Sequence, residues 1–129
     1  MILFDTTVLI DLEREARRRA PGAATAYLQT IPDEHPAVCA ITVGEFAEGF
    51  VERTFESFVH RLKPYSVIPI DERIAGRYAR ISRDGRARGH RIGDNDLWIA
   101  ATALERGIPL LTRNTEHFSR IPGLIVENY

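Results

Sequence analysis

The chain carries a single cysteine, Cys39, and a single lysine, Lys63. One cysteine cannot close an internal disulfide, so nothing in the composition points to a secreted, disulfide-braced scaffold. In a short apolar run, Cys39 reads as a small core hydrophobe. The four histidines, His35, His60, His90 and His117, lack the paired spacing of a zinc site. No Gly-rich loop ends in Gly-Lys, which excludes a Walker-type NTPase. No apolar run approaches the roughly 20 residues that span a bilayer. The opening Met1-Ile2-Leu3-Phe4-Asp5 has no basic segment and breaks at once on an aspartate, unlike a secretory leader. The expected compartment is therefore the cytoplasm, with no membrane association. A formal net charge of −1 excludes a uniformly basic coat for nucleic acid.

What is present is ordinary globular material. Hydrophobic residues make up 44% and charged residues 27% of 129 positions, enough to bury a core. No repeat, low-complexity tract or linker divides the chain, and a single domain over 1–129 is expected. The basic residues other than Lys63 are all arginines. Seven fall between Arg73 and Arg91 (Arg73, Arg77, Arg80, Arg83, Arg86, Arg88, Arg91), with Asp84 alone against them. Such a stripe is either a solvated helix face or a surface that grips phosphates bidentately.

Short continuous apolar runs alternate with helical patterns. Strands are expected at 2–4, 37–41, 66–70, 110–111 and 124–126. Helices are expected at 7–19, 23–30, 42–50, 52–62, from Asp71 to about 89, and 94–106, the last closed by Gly107 with Pro109 beyond. This order predicts an α/β fold around a mostly parallel sheet. Strands that are apolar throughout fit burial on both faces, and sites in such sheets form at the carboxyl ends of strands.

Three acids stand near those ends. Asp5 follows the first strand, Glu45 is expected in the first turn after the second, and Asp96 lies in the first turn of helix 94–106. Thr112-Arg113-Asn114 follows the fourth strand. Each acid has a structural explanation. Asp5 can cap the first helix, Thr42-Val43-Gly44-Glu45 has the form of a capping box, and Asp94 and Asp96 suit a helix dipole. Together they carry more. Carboxylates gathered at one sheet edge repel unless a cation or proton intervenes, and oxygen-only donors suit Mg²⁺ or Mn²⁺. Helix 94–106 is apolar nearly all round, so a carboxylate at its entrance is held rigidly and is costly to leave idle.

Four segments then become specific in combination: 1–10 (MILFDTTVLI), 41–45 (ITVGE), 93–103 (GDNDLWIAATA) and 111–118 (LTRNTEHF), with the closing 121–129 (IPGLIVENY). In this order they resemble the motifs of PIN-domain proteins, especially the toxin halves of VapBC-type toxin–antitoxin pairs, over nearly the whole chain. The resemblance implies a three-layer α/β/α sandwich and a Mg²⁺- or Mn²⁺-dependent endoribonuclease. It also implies a 5′-phosphate product, a homodimer and a cognate antitoxin partner. Asp5, Glu45 and Asp96 match the family's acidic metal-site residues, and Asp94, two positions early, reads as a cap. The first motif departs mildly, with Thr6 and Thr7 where the family continues with threonine and then asparagine or serine. The fourth motif often supplies a further acid. Here it offers Asn114 and His117 with Glu116 between, so Asn114 and Thr112 are expected to position a water.

On this reading Asp5 and Asp96 are the primary ligands. Glu45 binds through water or orients the nucleophile, and Thr6 supports the cluster. RNA phosphates rest on arginines such as Arg83, Arg86, Arg91 and Arg113. The phenylalanines from Phe46 to Phe58 either pack in the core or form part of an apolar groove for the antitoxin. The rival reading is an RNA-binding module of the same fold with weak or no catalysis. A phosphoacceptor receiver domain fits less well. Its third strand should end on a phosphorylatable aspartate, whereas Asp71 looks like a helix cap and the late lysine is missing.

Overall fold

A computed structural model describes residues 1–49 and 54–129. Five strands, β1 (Ile2–Phe4), β2 (Pro36–Cys39), β3 (Ser66–Ile68), β4 (Leu110–Leu111) and β5 (Val126–Glu127), form one sheet. Its order is β3-β2-β1-β4-β5, and every pairing is parallel. The chain steps outward from β1 through β2 to β3, then returns to the other side of β1. The reversal falls between β1 and β4, and this is where an open α/β sheet leaves a crevice at its carboxyl edge.

The helices cover both faces. Side chains alternate across each strand, so Ile2, Phe4 and Val38 point to one side and Leu3, Ala37 and Cys39 to the other. The first group packs with α1 (Thr6–Arg18), α2 (Ala23–Thr30), α3 (Ala40–Gly49) and α4 (Phe55–Leu62). The second packs with α5 (Glu72–Ala87), α6 (Asp94–Arg106) and the short α7 (Thr115–Phe118). All strand residues of β1 are buried, which accounts for their unbroken apolar run. In α6, Ile99, Ala100, Ala101, Thr102 and Ala103 are wholly buried. Small side chains let it lie close to the sheet, and the Thr102 hydroxyl is satisfied by the Trp98 carbonyl at 2.8 Å. Tyr78 stacks on Trp98 with ring centres 4.0 Å apart and ties α5 to α6. No described helix is long and apolar enough to cross a membrane.

Several expected boundaries shift. Helix α3 starts at Ala40, inside the run expected to be strand 37–41. Thr42 is therefore a buried residue within the helix rather than its cap, and Glu45 lies in the second turn, not the first. The capping-box reading of Thr42-Val43-Gly44-Glu45 falls with it. The start of the expected helix 52–62 and the end of 42–50 lie partly outside the described residues. Strand 66–70 ends at Ile68, and strand 124–126 is displaced to Val126–Glu127, because Leu124 N–H closes a turn on the Ile121 carbonyl at 3.3 Å. The cap at Asp71 is as expected, its carboxylate accepting Ile74 N–H at 2.9 Å. So is the end of α6, where Gly107 sits at φ 63°, a left-handed conformation that glycine adopts without steric cost.

Candidate active site at the carboxyl edge of the sheet

Asp5 directly follows β1, and its amide continues the ladder to the Leu111 carbonyl at 3.0 Å. Although it occupies the cap position of α1, its side chain makes no capping bond. Asp5 as a whole is 3% exposed, and its Oδ2 accepts two hydroxyls, Thr7 at 3.0 Å and Thr112 at 2.7 Å. Both hydroxyls also receive a backbone N–H from the loop after β4. Arg113 N–H donates to Thr7 at 3.2 Å and Asn114 N–H to Thr112 at 3.0 Å. A hydroxyl that accepts on its lone pair must point its proton elsewhere, here at Asp5. The arrangement commits Oδ2 to the protein and leaves Oδ1 outside these bonds.

Glu45 reaches the same edge from α3. Thr6 donates to its Oε1 at 2.7 Å and the Asn95 amide to its Oε2 at 3.3 Å. It thus bridges the start of α1 and the first turn of α6. Asp96, three residues into α6, is half-buried. The His117 ring nitrogen Nδ1 lies 3.6 Å from its Oδ2. Burial pushes the Asp96 carboxyl above its ordinary range, and the charges of Asp5 and then Glu45 push it further. His117 pulls the other way without cancelling them. Asp5 and Glu45 are therefore both within electrostatic reach of Asp96.

A divalent cation fits this donor set. The donors are carboxylate oxygens, and among the described residues His117 offsets their repulsion at Asp96 only in part. Among the described residues no three acids, histidines or cysteines close into a finished metal cage. Mg²⁺ does not require one, because it keeps several waters and takes one or two carboxylates together with substrate phosphates.

The other expected residues divide. Thr6 and Thr112 contact the acids directly, as above. Asn114 starts α7 without a side-chain cap bond. Asp94 is the first residue of α6 rather than its cap, which is Gly93, and it accepts the Tyr78 hydroxyl at 3.1 Å. Glu116 is exposed on α7. Arg113 is held by Asp11 at 2.8 and 3.0 Å, so its charge is already matched. Arg86 and Arg91 share a depression with Asp94 and Leu97 beside the entrance of α6, whereas Arg83 lines a different one. Phe46 is buried, and Phe55 is 75% exposed. A groove of about 640 Å³ between α1, α3 and α4 is lined by Leu9, Leu12, Phe46 and Tyr65 among others. Sequence reasoning missed Thr7, Asn95 and His117 as partners of the acids. All three lie inside quoted motifs, but nothing in the spacing pairs them with the acids, since His117 meets Asp96 and Asn95 meets Glu45 only through the fold.

A parallel α/β sheet with acids gathered at its switch point defines the class: a candidate hydrolytic or phosphoryl-handling site on an open sheet. Comparison with known proteins narrows it. Residues 2–124 match the family described as PIN domain, and the chain belongs to that family. It is 35% identical over 121 residues to a ribonuclease VapC1 of Methanocaldococcus jannaschii, covering 93% of this chain and 80% of the relative. Among solved structures it superposes on the VapBC2 complex of Rickettsia felis bound to a promoter DNA fragment. The TM-score is 0.82 at 25% identity, over 100% of this chain and 99% of that one. It also matches FitAcB of Neisseria gonorrhoeae with a TM-score of 0.79 at 29% identity, over 99% and 97%.

Proposed function

We propose that this protein is a metal-dependent endoribonuclease, acting as the toxin of a type II toxin–antitoxin pair and hydrolysing RNA phosphodiester bonds. The observation that carries the chemistry is the juxtaposition of Asp5, Glu45 and Asp96, with the Asp96 carboxyl pushed above its ordinary range by burial first and then by the charges of the other two. Ribonuclease relatives and toxin–antitoxin neighbours support the same reading and favour catalysis over a purely binding role.

Asp5 and Asp96 would hold a Mg²⁺ or Mn²⁺ ion, with Glu45 joining directly or through water. When bound, such an ion supplies Lewis-acid activation of the phosphate and of the attacking water. The chain's own residues do the rest. Thr7 and Thr112 hold Asp5 in one orientation. Thr6 and Asn95 present Glu45 so that it can accept a proton from the nucleophile. The backbone of Arg113 and Asn114 anchors the two threonines, and the exposed Asn114 side chain is placed to orient water. Arg86 and Arg91, beside the entrance of α6, contact phosphates flanking the scissile bond. The antitoxin occupies the groove between α1, α3 and α4, where Leu9, Leu12 and Phe46 beside Glu13, His60 and Arg61 suit an amphipathic segment. The toxin acts as a cytoplasmic homodimer.

The test is cleavage of total RNA by the purified protein beside Asp96→Asn, with Mn²⁺ and with EDTA. Discrete cleavage that EDTA and the substitution both abolish is the expected result. Equal cleavage by both proteins contradicts the assignment of Asp96, and no cleavage by either contradicts the enzyme reading.

A further inference from the structure

We propose that the depression between α5 and the last turn of α6 is a second docking site for the RNA backbone, separate from the acid cluster. The proposal rests on the nuclease reading above and assigns where the rest of the substrate lies. The depression has a volume of about 410 Å³ and is lined by Arg73, Gly76, Arg77, Arg80, Arg83 and Glu105. Its lining carries four guanidinium groups against one carboxylate, in a chain whose formal net charge is −1. Glu105 is already engaged by Arg77, at 3.2 and 3.3 Å. Asp84, on the same stripe of the helix, is paired with Arg88 at 3.4 Å.

Arg73, Arg80 and Arg83 are exposed and make no ion pair among the described residues. Arg18, Arg19 and Arg120 are also exposed and unpaired among the described residues, but they share no depression, whereas Arg73, Arg80 and Arg83 line one concavity together. Like charges placed side by side without a counterion repel. Three such arginines along one concavity therefore call for an anion with several charges, regularly spaced. From Arg73 to Arg83 the helix rises about 15 Å, long enough for consecutive phosphates. Gly76 sits among them with nothing within 4 Å of where a Cβ would project. A glycine inside a helix costs stability relative to alanine, and here it leaves the floor bare, so a phosphate can approach the backbone. Guanidinium groups match phosphate oxygens bidentately and read no base, so recognition here is of backbone rather than sequence.

The separation from the cluster gives the geometry. Glu105 and Asp96 are both on α6, nine residues apart, or about 14 Å. At roughly 3.4 Å per stacked nucleotide, the docking site meets RNA about four nucleotides from the scissile phosphate. Short substrates would be cut without using it, and long ones would depend on it.

The test uses the full chain with Arg73→Ala, Arg80→Ala and Arg83→Ala combined, leaving the Arg77–Glu105 pair intact. Circular dichroism and the melting midpoint confirm folding. A control combines Arg18→Ala, Arg19→Ala and Arg120→Ala, which removes the same charge elsewhere. Binding of a labelled RNA extending about ten nucleotides to each side of the cut is measured in EDTA against salt. Cleavage of an RNA of about four nucleotides is measured with Mn²⁺. The expected result is at least a tenfold loss of affinity for the long RNA in the depression variant. Its salt slope should fall by about 2, with cleavage of the short RNA unchanged and the control near wild type. Wild-type affinity and slope in the depression variant would overturn the proposal. So would an equal loss in the control, which means general charge, or an equal loss on the short RNA, which places these arginines in the catalytic site. If the wild type cuts neither RNA, the nuclease reading fails, while the binding comparison still decides the docking site.

Discussion

Two carboxylate environments in this molecule are opposites. At the junction of α1 and α2, Glu15 accepts the Ala24 N–H at 3.1 Å, the Thr25 N–H at 3.0 Å and the Thr25 hydroxyl. These bonds satisfy the open amides that begin α2, and they hold the Glu15 carboxyl at about 2, with the Thr25 hydroxyl the largest cause. At the carboxyl edge of the sheet, Asp96 is pushed the other way by burial and by Asp5 and Glu45. The chain completes the first carboxylate and leaves the second short of positive charge. Glu15 is satisfied from within, whereas Asp96, under the proposed function, is an acid arranged for a cation. The unpaired arginines on α5 follow the same logic with the opposite sign.

The contrast can be broken at several points. Thr112→Val keeps the shape of a wholly buried side chain but removes the shorter of the two hydroxyl bonds to Asp5 and the acceptor for Asn114 N–H. Groups that orient a metal ligand are worth on the order of 10- to 100-fold. Mn²⁺ affinity and cleavage rate are expected to fall together by that range, and an unchanged metal affinity would show that Thr112 does not orient Asp5.

Glu15→Gln is the converse case. Losing a helix-capping acceptor costs about 1 kcal/mol, which corresponds to a fall in melting temperature of about 4 °C, with no effect on cleavage. The sign of its pH dependence follows from the lowered pKa. Glu15 stabilises the fold above 4.5, its ordinary value, and that contribution is lost as pH falls through about 2. The difference between wild type and variant should therefore shrink as the solution is acidified.

Asp96→Asn gives the smallest stability effect and the most telling sign. Its folded pKa is raised, so the folded state binds the proton more readily than the unfolded one. The penalty is complete above the folded pKa and disappears as pH falls below the ordinary carboxylate value of 3.8. In EDTA at neutral pH the variant should melt no lower than wild type and slightly higher, despite being inactive. Melting clearly below wild type would mean that Asp96 is a structural acid like Glu15.

The same contrast marks what the sequence could reveal. Helix α6 was legible end to end, because its cap glycine, acidic first turn and apolar body all agree. The three acids were legible as a set, through their places after strands and at a helix entrance. The junction of β2 and α3 was not. Ala37 to Ile41 is equally apolar as strand or helix, and no glycine or proline separates them. That error also produced the capping box at Thr42. Helix α7 is too short, at four residues, to leave a periodic signal. The partners that finish the site act over long separations. Thr112 meets Asp5 across 107 positions and Asn95 meets Glu45 across 50, and only the sheet order sets those pairings. The arginine stripe was visible as composition, but its division into Arg86 and Arg91 near the acids and Arg73, Arg80 and Arg83 in a separate concavity depends on which side of α5 each residue occupies.

The most direct test of the central claim is calorimetric titration of the RNA-free protein with Mn²⁺, wild type beside Asp5→Asn and Glu15→Gln. Saturable binding is expected of the wild type and of Glu15→Gln, and none of Asp5→Asn. Binding that survives in Asp5→Asn, or its absence from the folded wild type, would contradict a cation site built on these carboxylates.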